Sequence, residues 1–123
     1  MLLVEDDEYI SRVYERAFRL AGYEIEIATD GEQGWKVLSE SAVLPAVVIV
    51  DMALPKMSGS ELLATIRAEK RMSVVPVVVL TNSFNEDIEK NVLAAGAALY
   101  LLKIDHEPKD IVARVGELIR KSS

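Results

Sequence analysis

The stretch Val47-Val48-Ile49-Val50-Asp51-Met52-Ala53-Leu54-Pro55-Lys56-Met57-Ser58-Gly59 decides the fold. Four consecutive β-branched apolar residues read as a strand covered on both faces, the habit of a parallel sheet packed between helices. The strand is apolar because it is buried, and it stops at Asp51. Ser58, with Glu61 three residues on, forms a capping-box pattern, and Leu62, Leu63 and Ile66 give the helix it starts an apolar side. The local order is therefore strand, acidic loop, helix.

Moving outward, the same order recurs. Residues 2–4, 24–28, 77–80 and 98–102 read as four further strands by length and β-branching. The second alternates polar and apolar residues, which predicts an edge strand. Ile10, Val13, Tyr14, Ala17 and Ala21 share one face of a first helix that Gly22 is placed to end. Asp30 and Gln33 bracket the start of a second, on which Trp35 and Leu38 read as packing residues. A fourth runs over about residues 85–95 and stops at Gly96. In the last, Ile111, Val112, Val115, Leu118 and Ile119 form an apolar stripe, and Arg120-Lys121 complement the helix dipole. Five βα units joined by right-handed crossovers give a parallel sheet with helices on both faces. An interior strand that starts at the second residue is unusually short, so the natural chain is expected to begin a few residues earlier.

Bulk properties narrow the function. A length of 123 residues fits one domain. The absence of cysteine removes disulfides and thiolate metal sites. A net charge of −6 disfavours sequence-independent binding to nucleic acid or anionic lipid. The longest apolar run, residues 43–50, contains a proline and is far too short to span a bilayer, and no signal segment opens the chain. These features predict a soluble cytoplasmic protein with no direct nucleic-acid or membrane partner.

Ligands of open parallel sheets collect beyond the carboxyl ends of the strands. There the chain places Glu5-Asp6-Asp7, Asp51, Thr81-Asn82-Ser83 and Lys103. Two carboxylates about 5 Å apart repel by roughly 3 kcal/mol at an effective dielectric near 20, so Glu5, Asp6 and Asp51 converging would require neutralisation beyond Lys103. With oxygen donors, no thiol and too few carboxylates for a full cage, Mg²⁺ is favoured over Zn²⁺ or Ca²⁺. A carboxylate can act as nucleophile and form an acyl phosphate. Phosphoryl transfer needs mainly positioning and charge neutralisation, which the Lys103 ammonium and the Thr81 hydroxyl can supply.

The acidic pair Glu5-Asp6, the spacing Asp51-xxx-Pro55-xxx-Gly59, Thr81 ending strand four, and Tyr100 and Lys103 in strand five resemble the receiver domain of two-component response regulators, chemotaxis receivers included. The resemblance covers essentially the whole chain. It implies a flavodoxin-like, doubly wound, five-stranded parallel sheet in the order 2-1-3-4-5, with residues 1–123 as a single receiver domain, stand-alone or excised from a longer regulator. It implies that Asp51 accepts a phosphoryl group from a histidine kinase or histidine phosphotransfer protein. Asp6, Asp51 and the backbone carbonyl of Ala53 would ligate Mg²⁺, with Glu5 acting through a metal-bound water. Thr81 would then be drawn inward and the Tyr100 ring would pass from exposed to buried, altering the helix four, strand five and helix five surface read by a downstream effector protein or domain. The chain would be a signalling phosphoacceptor rather than an enzyme, its chemistry limited to its own phosphorylation and dephosphorylation, and a monomer or a weak phosphorylation-dependent dimer.

The departures from the family pattern are specific. Ile104 follows Lys103 where receivers usually carry proline, often cis, which leaves a trans or a strained bond. Asn82 stands where a small residue usually leaves room for the phosphoryl group, and Ala53 and Ser83 occupy positions that influence attacking water. Ala98 and Leu99 replace the acids that commonly pair across a dimer with partners such as Arg114. Asp7 reads as a cap for the first helix, His106 as a solvated loop residue, and Met52 and Met57 as gap-fillers. The main alternative is a pseudo-receiver that binds a partner without phosphorylation. A phosphohydrolase of the haloacid dehalogenase type would show a second Asp at position 53, which is Ala, and flavin binding lacks a phosphate loop.

Overall fold

Hydrogen bonds from the strand Val48–Val50 organise the molecule, because this central strand pairs on both sides and is buried throughout. The computed structural model describes residues 1–82 and 85–122. Its elements are β1 (Leu2–Val4), α1 (Glu8–Leu20), β2 (Glu26–Ala28), α2 (Gly31–Glu40), β3 (Val48–Val50), α3 (Gly59–Ala68), β4 (Val77–Thr81), α4 (Glu86–Ala94), β5 (Leu99–Leu102) and α5 (Pro108–Ser122). Short 3₁₀ turns, Lys70–Met72 and Lys103–Asp105, precede β4 and α5.

The strands form one parallel sheet in the order β2-β1-β3-β4-β5, the expected doubly wound arrangement. Alternation along each strand splits the core into two layers. Leu2, Val4, Val48, Val50, Val77 and Val79 meet Leu38, Leu62 and Ile66 from α2 and α3. Leu3, Ile49, Val78 and Leu101 meet Phe18 of α1 and Ile111 and Val115 of α5. Each such side chain contributes about 1.5–3 kcal/mol on burial, so these layers dominate the stability of the fold.

Local signals set the helix ends. Asp7 Oδ1 accepts from Ile10 N at 3.0 Å, Asp30 Oδ1 from Gln33 N at 2.8 Å, and Ser58 Oγ from Glu61 N at 3.2 Å. Gly22 follows α1 with φ of +94°, a backbone conformation that costs a side-chain-bearing residue about 1 kcal/mol. The second strand is an edge, as its alternation predicts, but it starts at Glu26 rather than residue 24. β1 offers only three residues for pairing, so Glu24 instead accepts a single bond from the Met1 amino group. β4 runs one residue further than its apolar stretch, taking in Thr81, while β3 and β5 each start one residue later than read. Among the described residues, no helix is long and apolar enough to cross a membrane.

Candidate functional site

Register builds the site. Val4 pairs with Val50, so the residues that follow them, Glu5 and Asp51, leave adjacent strands at the same level. The backbone confirms the alignment: Asp51 N donates to Val4 O at 3.1 Å, and Glu5 N donates to Ala28 O at 2.9 Å. Thr81 pairs with Leu102 at the same end, which places Lys103 one step beyond.

Glu5, Asp6 and Asp51 each present a carboxylate oxygen within 4.8 Å of the other two. The Glu5 side chain is 2% exposed, that of Asp51 12% and that of Lys103 7%, while Asp6 faces solvent. Lys103 Nζ donates to Glu5 Oε1 and, at 3.4 Å, to Asp51 Oδ2. Glu5 Oε2 accepts from Asp7 N at 3.2 Å, and Asp51 Oδ1 from Ala53 N at 3.3 Å. Three carboxylates thus converge where one ammonium contacts two of them, and at these separations each acid pair repels by about 3 kcal/mol at a dielectric near 20.

Titration behaviour reflects that imbalance. Burial pushes the Glu5 carboxyl above its ordinary value and the charge of Asp51 adds to the rise, against the opposing hydrogen bond and charge of Lys103. For Lys103, burial alone would lower the pKa, but the hydrogen bond to Glu5 and the charges of Asp51 and Glu5 outweigh it and hold the ammonium above the usual lysine value. The donor set, all hard oxygen with a net negative charge, could hold a divalent metal ion that keeps several waters.

The β3–α3 loop holds Asp51 by close backbone packing. A methyl group at Gly59 would strike the carbonyl oxygen of Asp51 and stand 2.8 Å from Met52 Cα. This contact explains the Asp51-to-Gly59 spacing, since only glycine lets the start of α3 approach so near. Lys56 stands at the centre of a γ-turn, with φ of +66° and Met57 N donating to Pro55 O at 2.8 Å. Its ammonium lies 3.7 Å from Asp30, joining this loop to the start of α2.

Thr81 is buried at the end of β4. Tyr100 of β5, beside Val79, is half-buried against the α2–α4 side of the core, where the resemblance implied an exposed ring before phosphorylation. Burial raises its hydroxyl pKa and Glu89 adds to the rise, while a hydrogen bond with the Asn85 backbone opposes it. The described residues contain no cis peptide bond, so Lys103 joins Ile104 in trans and enters the site from a 3₁₀ turn. Asn82 is exposed, Asp7 caps α1, and Trp35, Met52 and Met57 pack partly buried against the core. His106 is half-buried rather than fully solvated, in the wall of a cavity beside Lys103. Ser83 lies outside the described residues.

Sequence reasoning took Tyr14 as a core residue. It is buried, but it also lines the cavity beside Lys103, and its hydroxyl pKa is raised mainly by burial, with Lys103 and Glu5 acting on it in opposite directions. A polar-tipped residue on the apolar face of the helix after the acidic pair is the one signal that pointed there. Lys56 carried none, because its positive φ is imposed by the loop.

Residues 1–116 match the family model described as response regulator receiver domain. The chain belongs to that family. This receiver domain is 34% identical over 109 residues to the probable methanogenesis regulatory protein FilR2 of Methanothrix harundinacea, covering 84% of this chain and 70% of that one. It is 31% identical over 123 residues to the alkaline phosphatase synthesis transcriptional regulatory protein PhoP of Bacillus subtilis, covering 99% and 49%. It spans about half the length of most such curated relatives, and 18% of protein RcaC of Microchaete diplosiphon. Among solved structures, the phosphorylated cyanobacterial phytochrome response regulator RcpA superposes with a TM-score of 0.88 at 27% identity, covering 99% of this chain and 94% of that one. The Mn²⁺-bound form of response regulator Rcp1 gives 0.80 at 30% identity, covering 95% and 88%. Receiver domains serve two-component signal transduction, and this chain is a signalling module of that kind.

Proposed function

We propose that residues 1–123 act as one phosphoacceptor domain, in which Asp51 takes a phosphoryl group from the phosphohistidine of a histidine kinase or histidine phosphotransfer protein. The observation that carries this reading is the convergence of Glu5, Asp6 and Asp51 within 4.8 Å, with Lys103 bridging two of them. An Asp51 carboxylate oxygen attacks phosphorus, the P–N bond to the imidazole breaks as the P–O bond forms, and the departing nitrogen takes a proton from solvent. Lys103, already in contact with Asp51, stays charged because its pKa is held up, and serves as a fixed cation for a phosphoryl oxygen. The Thr81 hydroxyl and nearby backbone N–H groups serve another.

The carboxylates fit Mg²⁺, since they are hard oxygens whose mutual repulsion is otherwise only partly relieved by one lysine. Asp6, Asp51 and the Ala53 carbonyl would hold the ion and Glu5 would reach it through water. When bound, Mg²⁺ supplies neutralisation of charge on the phosphoryl oxygens. Similar solved receivers, one Mn²⁺-bound and one phosphorylated, support both halves of the reading.

The aspartyl phosphate replaces one charge by a larger group with strong acceptors. Thr81 closes on it, and Tyr100, at the next strand, shifts its packing and so changes the α4–β5–α5 face offered to a downstream effector protein or domain. With Ala98 exposed and Leu99 half-buried on that face, self-association there is weak and apolar rather than charged.

Incubation with Mg²⁺ and acetyl phosphate at about 0.3 M salt, where the Debye length is near 5 Å, tests the proposal by intact mass. One added phosphoryl group is expected, absent without Mg²⁺ and absent from Asp51→Asn. No adduct from acetyl phosphate or from a phosphohistidine donor would instead establish a pseudo-receiver.

A further inference from the structure

The loop that carries Asp51 and Ala53 is latched to the start of α2. Gly31, the first residue of that helix, is buried against the loop, and a methyl group there would stand 2.0 Å from the Met57 carbonyl oxygen and 2.6 Å from Met57 Cβ. Backbone thus meets backbone at this junction. Beside it, Asp30 Oδ2 faces Lys56 Nζ at 3.7 Å while Asp30 Oδ1 caps Gln33 N at 2.8 Å, and the aspartate side chain is 15% exposed. Gln33 Oε1 reaches back to accept from Thr29 N at 2.6 Å and from Thr29 Oγ1 at 2.9 Å. Asp30 is therefore fixed by its own helix, and Lys56 ties onto a rigid post.

The other end of the latch is the site. Gly59 N donates to Met52 O at 3.2 Å and closes the loop at its base, which leaves residues 53–58 to be held from outside. Lys56 stands within that stretch at φ of +66°, a conformation that a side-chain-bearing residue leaves unless its surroundings hold it. The ion pair and the Gly31 contact supply that hold, three residues from Ala53 and five from Asp51.

We infer that Lys56 is a positioning residue for the proposed Mg²⁺ site: by anchoring its turn to Asp30 at the start of α2, it keeps the Ala53 carbonyl and the Asp51 carboxylate in place before the ion arrives. The inference rests on the reading of Asp6, Asp51 and Ala53 as Mg²⁺ ligands. A loop that is already ordered does not have to be ordered on binding, which strengthens the binding. Electrostatics alone predicts the opposite sign. Removing a cation from the neighbourhood of an acidic site tightens a divalent cation there, and removing the charge of Asp30 loosens it.

The test titrates Mg²⁺ into the unphosphorylated chain by isothermal calorimetry, comparing the wild type with Lys56→Met, Asp30→Asn and the double variant. Asparagine caps a helix about as well as aspartate, so α2 keeps its start. Each single variant is expected to weaken Mg²⁺ binding about two- to fivefold, the factor that one exposed ion pair supports. The double variant is expected to be no weaker than either, since one tie can be lost only once. Lys56→Arg, which retains the pair, is expected to bind as the wild type does. Lys56→Gly is at ease at positive φ, so it is expected to hold the urea midpoint while still weakening Mg²⁺, a split that a loss of folding does not produce. In metal-free protein, amide hydrogen exchange at Ala53 and Met57 is expected to quicken severalfold in Lys56→Met. Binding that tightens or stays unchanged in Lys56→Met, single effects that add in the double variant, or exchange that does not quicken overturns the inference alone. A wild type that takes no Mg²⁺ overturns the metal reading with it.

Discussion

Glu5 is a carboxylate buried to 2% exposure, and its behaviour links the site to stability. Its folded-state pKa lies above the ordinary carboxyl value, chiefly through burial. The folded protein thus binds that proton more tightly than the unfolded chain, and the stability the proton confers is lost as pH rises through the folded pKa. Glu5→Gln mimics the protonated form. In metal-free urea unfolding, the variant is expected to gain on the wild type as pH rises from about 4 to 7, since the two are most alike where Glu5 is neutral. A gap that narrows with rising pH would contradict the description. At this scale the acids, Thr81 and Lys103 were legible because each ends an apolar strand. Lys56 was not, since a lysine after proline carries no mark of a left-handed backbone, and the environment of Tyr14 depends on a lysine 89 positions away.

Elements hold the site through their registers and their ties. Arg67 near the end of α3 donates from Nε to Gly96 O at 3.1 Å, from Nη1 to Ser73 O at 3.1 Å and from Nη2 to Val75 O at 2.8 Å. One side chain therefore satisfies carbonyls before β4 and at the α4–β5 turn. Arg67→Met is expected to cost about 1–3 kcal/mol in urea unfolding, the range for leaving polar groups without a partner, and to loosen hydrogen-exchange protection at β4 and β5. A change under about 0.5 kcal/mol, the usual scale of surface substitutions, would show the tie to be incidental. Element existence was readable from apolar runs, cap residues and Gly22, whereas element ends were set by pairing. β2 is shorter than its alternation because β1 offers three partners, and β4 is longer because Thr81 finds Leu102.

Across the whole molecule, the five βα units and right-handed crossovers led to a parallel sheet, and the likeness to receivers supplied its strand order. What the chain could not disclose is the starting position of Tyr100, which depends on packing between α4 and β5 and stands half-buried already. The proposed signal therefore begins from a partly inward ring. Thr81→Ala separates chemistry from relay: Asp51 is expected still to be phosphorylated, but about a hundredfold more slowly, the lower end of the range for one lost oxyanion donor. The chemical shifts of Tyr100 and α4 are expected to change far less on phosphorylation than in the wild type. Equal shifts in both proteins would remove Thr81 from the relay.

The most direct measurement reads the modified residue itself. Borohydride reduction of the phosphorylated protein, which converts an aspartyl phosphate to homoserine, followed by peptide sequencing in the mass spectrometer, is expected to find homoserine at position 51 and at no other acid. Homoserine at Asp6, 5-hydroxynorvaline at Glu5, or an unmodified Asp51 in protein that carries phosphate, would contradict the assignment of the nucleophile and the site built around it.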